Sequence, residues 1–418
     1  MYQLVICLYL CGVAVASLFS EKVRKMWRDE RQTIRLLREK VDPDAQYVWF
    51  HAASLGEFEQ GRPLMERLRR DHPEYKILLT FFSPSGYEVR KNYEGADIIC
   101  YLPIDTIRNA RLFLRAVRPV MVFFIKYEFW YNYLHILKHR NVPVYSVSSI
   151  FRPDQVFFRW YGRQYSRVLK CFTHFFVQNE RSRELLASIG IHEVDVVGDT
   201  RFDRVLRIKE QAKEEAAIAA FAKGGKCFVA GSSWEPDEDI FFPYFARHRE
   251  WKLVVAPHVI SPEHIGRIER QVETLGMKCK TLSTIHELVD TSHGDVYQAV
   301  ADTDVIVVDC FGLLSSIYRY GQVAYVGGGF GVGIHNVVEA AVWGVPVFFG
   351  PNNQKFQEAQ GLKRTGGGIE IRDYDDFAHR MNTLASDPEA ISELGHAAGS
   401  YVGGQAGATE KIFQFLHL

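Results

Sequence analysis

Tyr47-Val-Trp-Phe-His-Ala-Ala-Ser-Leu-Gly-Glu-Phe-Glu-Gln60 begins with four apolar residues, Tyr47 to Phe50, the pattern of a short buried strand. The small residues Ala52, Ala53, Ser54 and Gly56 suit a tight strand-to-helix turn. Glu57 then opens a helical pattern that runs to Arg70. A carboxylate in a first helical turn feels free backbone N–H groups and the positive end of the helix dipole, which favours its ionised form. Glu57 therefore has two readings: a general base at neutral pH, or a cap for its own helix.

Downstream, the same alternation repeats. Apolar runs at Lys76–Phe81, Ile98–Tyr101, Val120–Ile125, Val144–Ser148 and Phe172–Val177 read as strands, with helical patterns between them such as Thr106–Val117 and Glu180–Ile189. A second series follows at Cys227–Ala230, Lys252–Ala256, Val305–Val308, Val323–Val326 and Val345–Phe349. Such βαβ alternation predicts parallel sheets with helices on both faces. The Lys-, Glu- and Ala-rich segment from Arg204 to Lys226 separates the series. The expected organisation is an anchor over 1–20, a basic segment over 21–42, one doubly wound domain over 43–210, another over 211–400 and a terminal helix within 401–418. Ligands of such sheets bind beyond the carboxyl ends of the strands, so two facing domains predict a cleft between those ends.

Upstream, Tyr2 to Phe19 carries no charge and is just long enough to span a bilayer. Lys22, Arg24, Lys25, Arg28, Arg31, Arg35, Arg38 and Lys40 follow, which by the positive-inside rule places the body on the cytoplasmic side. A helix that did not span would lie in the interface instead. The chain is neutral, but residues 1–210 hold 33 of its 50 basic and 24 of its 50 acidic residues, a local excess of +9. A basic front half suits an anionic partner, lipid or nucleic acid; the anchor favours lipid, and the acidic second half opposes nucleic acid. The seven cysteines are widely spaced without a C-x-x-C, which fits a reducing compartment.

Several loops carry candidate chemistry. Gly327-Gly-Gly-Phe-Gly-Val-Gly333 follows a strand and precedes Ile334-His335-Asn336-Val-Val-Glu339. Glycines admit close approach of a ligand, and a helix N-terminus behind them takes an anion. The dinucleotide fingerprint would need a glycine where Val332 stands. Asn336 with Glu339 reads as a capping box, or Glu339 as a grip on ribose hydroxyls. Asp309-Cys-Phe-Gly-Leu313 and Pro257-His258 also follow strands. Glu128 sits among the aromatics of Lys126-Tyr-Glu-Phe-Trp-Tyr-Asn-Tyr133, and Phe151 to Tyr161 mixes basic and aromatic residues suited to an interface or an acyl chain. Asp302-Thr-Asp304 precedes its strand rather than ending one, and His135 and His139 lack the glutamate of the zinc-hydrolase pattern, so no metal site is expected.

An apolar N-terminal segment followed in order by HAASLGEFEQ (51–60), IKYEFWYN (125–132), VVGDTRFD (196–203), APHVISPEH (256–264), DCFGLL (309–314) and VGGGFGVGIHNVVEAA (326–341) resembles the 3-deoxy-D-manno-octulosonic acid (Kdo) transferases of lipopolysaccharide synthesis. The resemblance implies an α/β GT-B glycosyltransferase of two Rossmann-like domains facing across a cleft, with an N-terminal membrane anchor helix in the inner membrane. It implies CMP-Kdo as donor, the lipid A precursor (lipid IVA) as acceptor, and no cofactor or metal. Carried over by position, Glu57 is the general base, and Glu128 and Arg201 support the transition state. Pro257, His258, Phe311, Gly312, Leu313, Asn336, Val337, Val338 and Glu339 fall at CMP-binding positions. Arg201, His258 and Leu313 stand where lysine, arginine and glutamate are common in that family. The alternatives are a GT-B enzyme moving a UDP-sugar onto a membrane lipid and a membrane-tethered binding module.

Overall fold

The computed structural model describes residues 2–162, 165–291, 295–331 and 333–418. Val332, the position of the missing fingerprint glycine, lies outside them. The chain divides into two units, Met1–Arg204 with Ala406–Leu418, and Val205–Gln405.

The first unit is built on seven strands: β1 (Gln46–Ala52), β2 (Tyr75–Phe81), β3 (Ile98–Tyr101), β4 (Met121–Ile125), β5 (Val144–Ser149), β6 (His174–Val177) and β7 (Val194–Val196). They form one sheet in the order β3-β2-β1-β4-β5-β6-β7, and every pairing is parallel. The strands are apolar at consecutive positions because both faces are covered. In β1, Tyr47 and Trp49 enter the core on one face and Val48 and Phe50 the core on the other; in β4, Val122 and Phe124 oppose Phe123 and Ile125 in the same way.

The second unit repeats the plan with β8 (Lys226–Ser233), β9 (Trp251–Pro257), β10 (Cys279–Thr281), β11 (Val305–Val307), β12 (Val323–Val326), β13 (Val347–Phe349) and β14 (Gly368–Glu370). Its order is β10-β11-β9-β8-β12-β13-β14, again all parallel. All eleven expected strands are present. The three not expected, β7, β10 and β14, have three residues each and lie at sheet edges.

In the first sheet the chain winds outward from β1, through β2 and β3 on one side and then β4 to β7 on the other. In the second it leaves β8 through β9, passes to the edge strand β10, inserts β11 between β10 and β9, and then continues on the other side of β8 through β12 to β14. The reversal falls between β1 and β4 in the first sheet and between β8 and β12 in the second. At such a point the two neighbouring connections part and leave a crevice beyond the strand ends.

The N-terminus corrects an expectation. Tyr2–Phe19 is a helix, α1, but no helix among the described residues is long and apolar enough to cross a membrane, so a transmembrane anchor over 1–20 is not supported. Eighteen residues rise about 27 Å, short of the roughly 30 Å hydrocarbon layer. The start of α1 is also tied to the first unit: the Tyr2 hydroxyl donates to Asp105 Oδ2 (2.6 Å) and Gln3 Nε2 donates to Asn132 Oδ1 (2.7 Å). The basic segment forms α2 (Glu21–Lys40), whose buried Glu30 accepts the Ile104 N–H (2.5 Å) and whose Thr33 hydroxyl donates to the Tyr101 carbonyl (2.9 Å). The last helix, Ala408–Leu416, packs Ile412 and Phe413 into the first unit's core. The carboxylate of Asp203 accepts the N–H groups of Gly407 (2.5 Å) and Thr409 (2.6 Å) at the start of that helix.

Candidate active site

In the first unit, chemistry gathers at the crevice between β1 and β4. After β1 the chain turns at Ala53–Ser54 into α3 (Leu55–Asp71). Ser54, not Glu57, is the N-cap, and its hydroxyl accepts the Glu57 N–H (3.5 Å). The Glu57 carboxylate folds back to accept the Ala53 N–H (2.6 Å), so Glu57 braces the turn as well as presenting a carboxylate there. Its pKa moves opposite to the expectation from the helix dipole. Burial, then the charge of Glu128, push it up to about 7, against the lowering effect of the Ala53 N–H and of Lys126. Desolvation and a like charge outweigh the helix terminus here.

Glu128 arrives from β4. The strand ends at Ile125, and Lys126 takes a left-handed conformation (φ 63°) that turns the chain sharply. Such strain in a non-glycine residue persists where the surroundings fix it. Here the Lys126 N–H donates to the Val147 carbonyl (2.8 Å) and the Ser149 hydroxyl donates to the Lys126 carbonyl (3.0 Å). Trp130 Nε1 donates to Glu128 Oε2 (2.6 Å), and His51 Nε2 lies 3.0 Å from the same oxygen. His51 is fully buried in β1, and its Nδ1 lies 2.8 Å from the Thr80 hydroxyl, which accepts Trp49 Nε1–H (2.7 Å). The Thr80 hydroxyl also donates to the Phe50 carbonyl (3.4 Å), and His51 Nδ1 lies 3.2 Å from the Thr80 carbonyl, so Thr80 holds the ring through both of its oxygens while Nε2 faces Glu128. Sequence reasoning passed over His51 and Thr80; the available signal was an imidazole inside an apolar strand, which needs partners.

Arg201 lies at the start of the helix Thr200–Gln211. Its Nε and a terminal nitrogen donate to Asp199 Oδ2 at 3.0 and 2.8 Å. Burial pushes Asp199 up, but the Arg201 guanidinium and its hydrogen bonds outweigh that and hold the carboxyl below the usual range. Tyr127 joins the two parts of the site. Its hydroxyl is pushed up by burial, and the charges of Arg152, Glu57, Arg201 and Asp199 all act on it. Glu57, Glu128 and Arg201, distant in sequence, therefore share one neighbourhood.

In the second unit the expected nucleotide residues gather in two clusters. At the ends of β8 and β9, the His258 N–H donates to the Ser233 carbonyl (2.9 Å), and the rings of Trp234 and His258 stack with centroids 4.8 Å apart. His335 stacks on His258 (4.1 Å), and Trp234 Nε1 donates to His335 Nε2 (3.0 Å). Burial, and then the His258 charge, lower His335 to about 4; burial also lowers His258. Both rings are therefore neutral at pH 7. The glycine turn is wired by Asp237, also missed from sequence. This buried carboxylate accepts the N–H groups of Gly328 and Trp234 (2.9 Å each) and the Tyr325 hydroxyl (2.6 Å). A Cβ on Gly329 would lie 2.6 Å from the Gly350 backbone, so only glycine fits.

The second cluster centres on Glu339. It does not complete a capping box: Asn336 Nδ2 donates to Glu339 Oε1 (2.8 Å), and the Ser315 hydroxyl donates to Oε2 (2.6 Å). The short helix Val338–Ala341 is preceded by Val337 without a side-chain cap. Glu339 thus ties the Asn336 loop to the segment after Phe311-Gly312-Leu313. Asn336 Oδ1 is buried without a hydrogen-bond partner among the described residues, an acceptor that a ligand donor would satisfy. Phe311 is 79% exposed, and Gly312 takes φ 92°. Asp302 pairs with Lys278, and Asp304 pairs with Arg249 (3.1 Å). Both carboxylates of the Asp-Thr-Asp segment are thereby committed to ion pairs.

Residues 26–204, the stretch holding Glu57, Glu128 and Arg201, match the family described as 3-deoxy-D-manno-octulosonic-acid transferase (kdotransferase). The chain is 26% identical to the 3-deoxy-D-manno-octulosonic acid transferase of Aquifex aeolicus, over 82% of its own length and 87% of that protein's. It is 23% identical to the Haemophilus influenzae protein of the same name, over 90% and 87% of the two chains. The match over residues 26–204 and these relatives support membership of the Kdo transferase family. The chain is a glycosyltransferase. Among solved structures, a putative UDP-N-acetylglucosamine 2-epimerase from Listeria monocytogenes superposes with a TM-score of 0.60 at 13% identity, covering 90% of this chain and 98% of that one. MurG from Acinetobacter baumannii gives 0.54 at 11%, covering 89% and 99%. At such identities the likeness shows the fold alone, which is GT-B-like with two parallel sheets.

Proposed function

We propose that this Kdo transferase family member transfers Kdo from CMP-Kdo to a primary sugar hydroxyl of the lipid A precursor (lipid IVA), with inversion and without a metal. The observation that carries the reading is a Glu57 carboxyl brought to about 7 beside Glu128 at the first sheet's crevice. A base works best with a pKa near the working pH. Glu57 removes the hydroxyl proton as the oxygen attacks the anomeric carbon of the donor. The new C–O bond forms as the bond from that carbon to the phosphate oxygen breaks, and CMP leaves with the electron pair. Arg201 and Glu128 organise the charge around Glu57. The loops carrying Pro257, His258, Phe311, Gly312, Leu313, Asn336, Val337, Val338 and Glu339 hold the CMP portion, with backbone N–H groups near Gly312 and Asn336 meeting phosphate charge.

The acceptor is a membrane lipid, and we place the enzyme on the inner face of the inner membrane through α1 lying in the interface rather than crossing it. Phe19 (86% exposed) and Trp160 (89%) are suited to that contact, and the cations of α2 to anionic headgroups. The reading is tested by comparing CMP with UDP in a thermal-shift assay and by following transfer from CMP-Kdo. Stabilisation by CMP with transfer to the lipid precursor is expected. Stabilisation by UDP alone would favour a UDP-sugar enzyme, and nucleotide binding without transfer would favour a tethered binding module.

A further inference from the structure

Beneath the first turns of α1 lies a cavity of about 320 Å³ within the first unit. Its roof is Val5, Ile6 and Tyr9 of α1, and its floor includes Phe82, Phe129 and Trp130. Trp130 is also the residue that donates to Glu128 Oε2, so one wall of the cavity is the back of the candidate catalytic cluster. Tyr127 lines the cavity too, and Lys126 Nζ and Arg152 Cζ lie 5.3 and 5.8 Å from its ring centroid. Asp105 also lines the cavity, but it is fully buried and accepts the Tyr2 hydroxyl, so a mainly aromatic and apolar chamber adjoins two cations across one tyrosine. That arrangement complements an amphiphile with an anionic head beside its chain. The roof residue Val5 is 55% exposed, so the apolar surface continues from the chamber onto the outside of α1. The volume sits at the low end of the roughly 300–1,000 Å³ typical of ligand pockets, a size suited to one chain rather than a whole glycolipid.

The geometry points to this cavity as a binding site for one acyl chain of the lipid acceptor, with α1 as its lid and Lys126 and Arg152 beside the anionic head. The inference rests on the proposed acceptor being a lipid, and it makes acceptor acylation a specificity determinant read by α1. Each buried methylene is worth roughly a fourfold gain in affinity.

Two measurements on the full chain test it. Binding of saturated fatty acids of increasing length, followed by displacement of a fluorescent fatty acid, reads the cavity without any transfer reaction. Affinity should rise several-fold per methylene and then level off when the chamber is full. Ile6→Trp, which fills the roof, and Val5→Asp, which charges the mouth, should each weaken binding at least tenfold. Steady-state transfer then compares the acylated acceptor with its fully deacylated, soluble form. Both variants should raise the ratio of KM for the acylated acceptor to KM for the deacylated one at least tenfold. Fatty-acid binding indifferent to chain length and to both variants, or an unchanged KM ratio, would overturn the assignment. A wild-type protein that transfers nothing but binds fatty acids in the predicted, variant-sensitive way would overturn the proposed reaction and leave the cavity's assignment standing.

Discussion

Glu57 shows how a residue legible in sequence acquires its chemistry from residues that are not nearby in sequence. Its place at a strand-to-helix turn follows from the local run, but its pKa does not, because burial and the charge of Glu128 reverse the effect of the helix end. A base must be deprotonated to act, so kcat/KM should rise as pH approaches about 7 and then level. Glu57→Ala should lower kcat by about 10²–10⁴-fold, with CMP affinity unchanged because the expected CMP loops belong to the other unit. His51 and Glu128 stand 77 positions apart, and their meeting depends on β1 and β4 being neighbours, which no local pattern reports. Thr80→Val removes the hydroxyl between Trp49 and His51. It should cost about 1–3 kcal/mol by leaving buried polar atoms unpaired, measurable by urea unfolding, and should depress kcat more than it raises KM.

At the scale of elements, long apolar strands were readable because both faces of a parallel sheet are buried and the signal is a continuous run. The edge strands β7, β10 and β14 are too short and too partly buried to produce one. The glycine turn after β12 was readable as a close-approach loop, but its anchor, Asp237, sits on a different βα unit. Gly329→Ala should destabilise the second unit by about 1–3 kcal/mol through overpacking and weaken CMP binding, measurable by calorimetry. Glu30 on α2 offers a test of how that helix is held. Burial raises its carboxyl to about 7, against the opposing effect of the Ile104 N–H. The folded protein then holds a proton that the unfolded chain has lost. This group's contribution is full below about 4.5 and disappears as pH rises through about 7. Glu30→Gln should therefore stabilise the protein at about pH 8 by about 1–3 kcal/mol relative to wild type and leave the difference near zero at about pH 4, read from thermal unfolding at both values.

For the whole molecule, two doubly wound units were legible from the repeated alternation, and the family from the ordered motifs. The fate of the N-terminus was not, because a charge-free run of eighteen residues is equally compatible with spanning and with lying against a domain; no described helix is long and apolar enough to span, and the hydrogen bonds of Tyr2 and Gln3 tie the start of α1 to Asp105 and Asn132. If α1 rests in the interface, Phe19→Asp and Trp160→Ala should each reduce flotation with anionic vesicles, and raised salt should reduce it further. In the proposed reaction transfer depends on Glu57, and mass spectrometry of the lipid product after incubation with CMP-Kdo and the lipid A precursor, for wild type beside Glu57→Gln, tests that role most directly. The predicted result is a Kdo-extended lipid from the wild type, and unmodified lipid from the variant despite undiminished CMP binding. Extended lipid from the variant at the wild-type rate would contradict it.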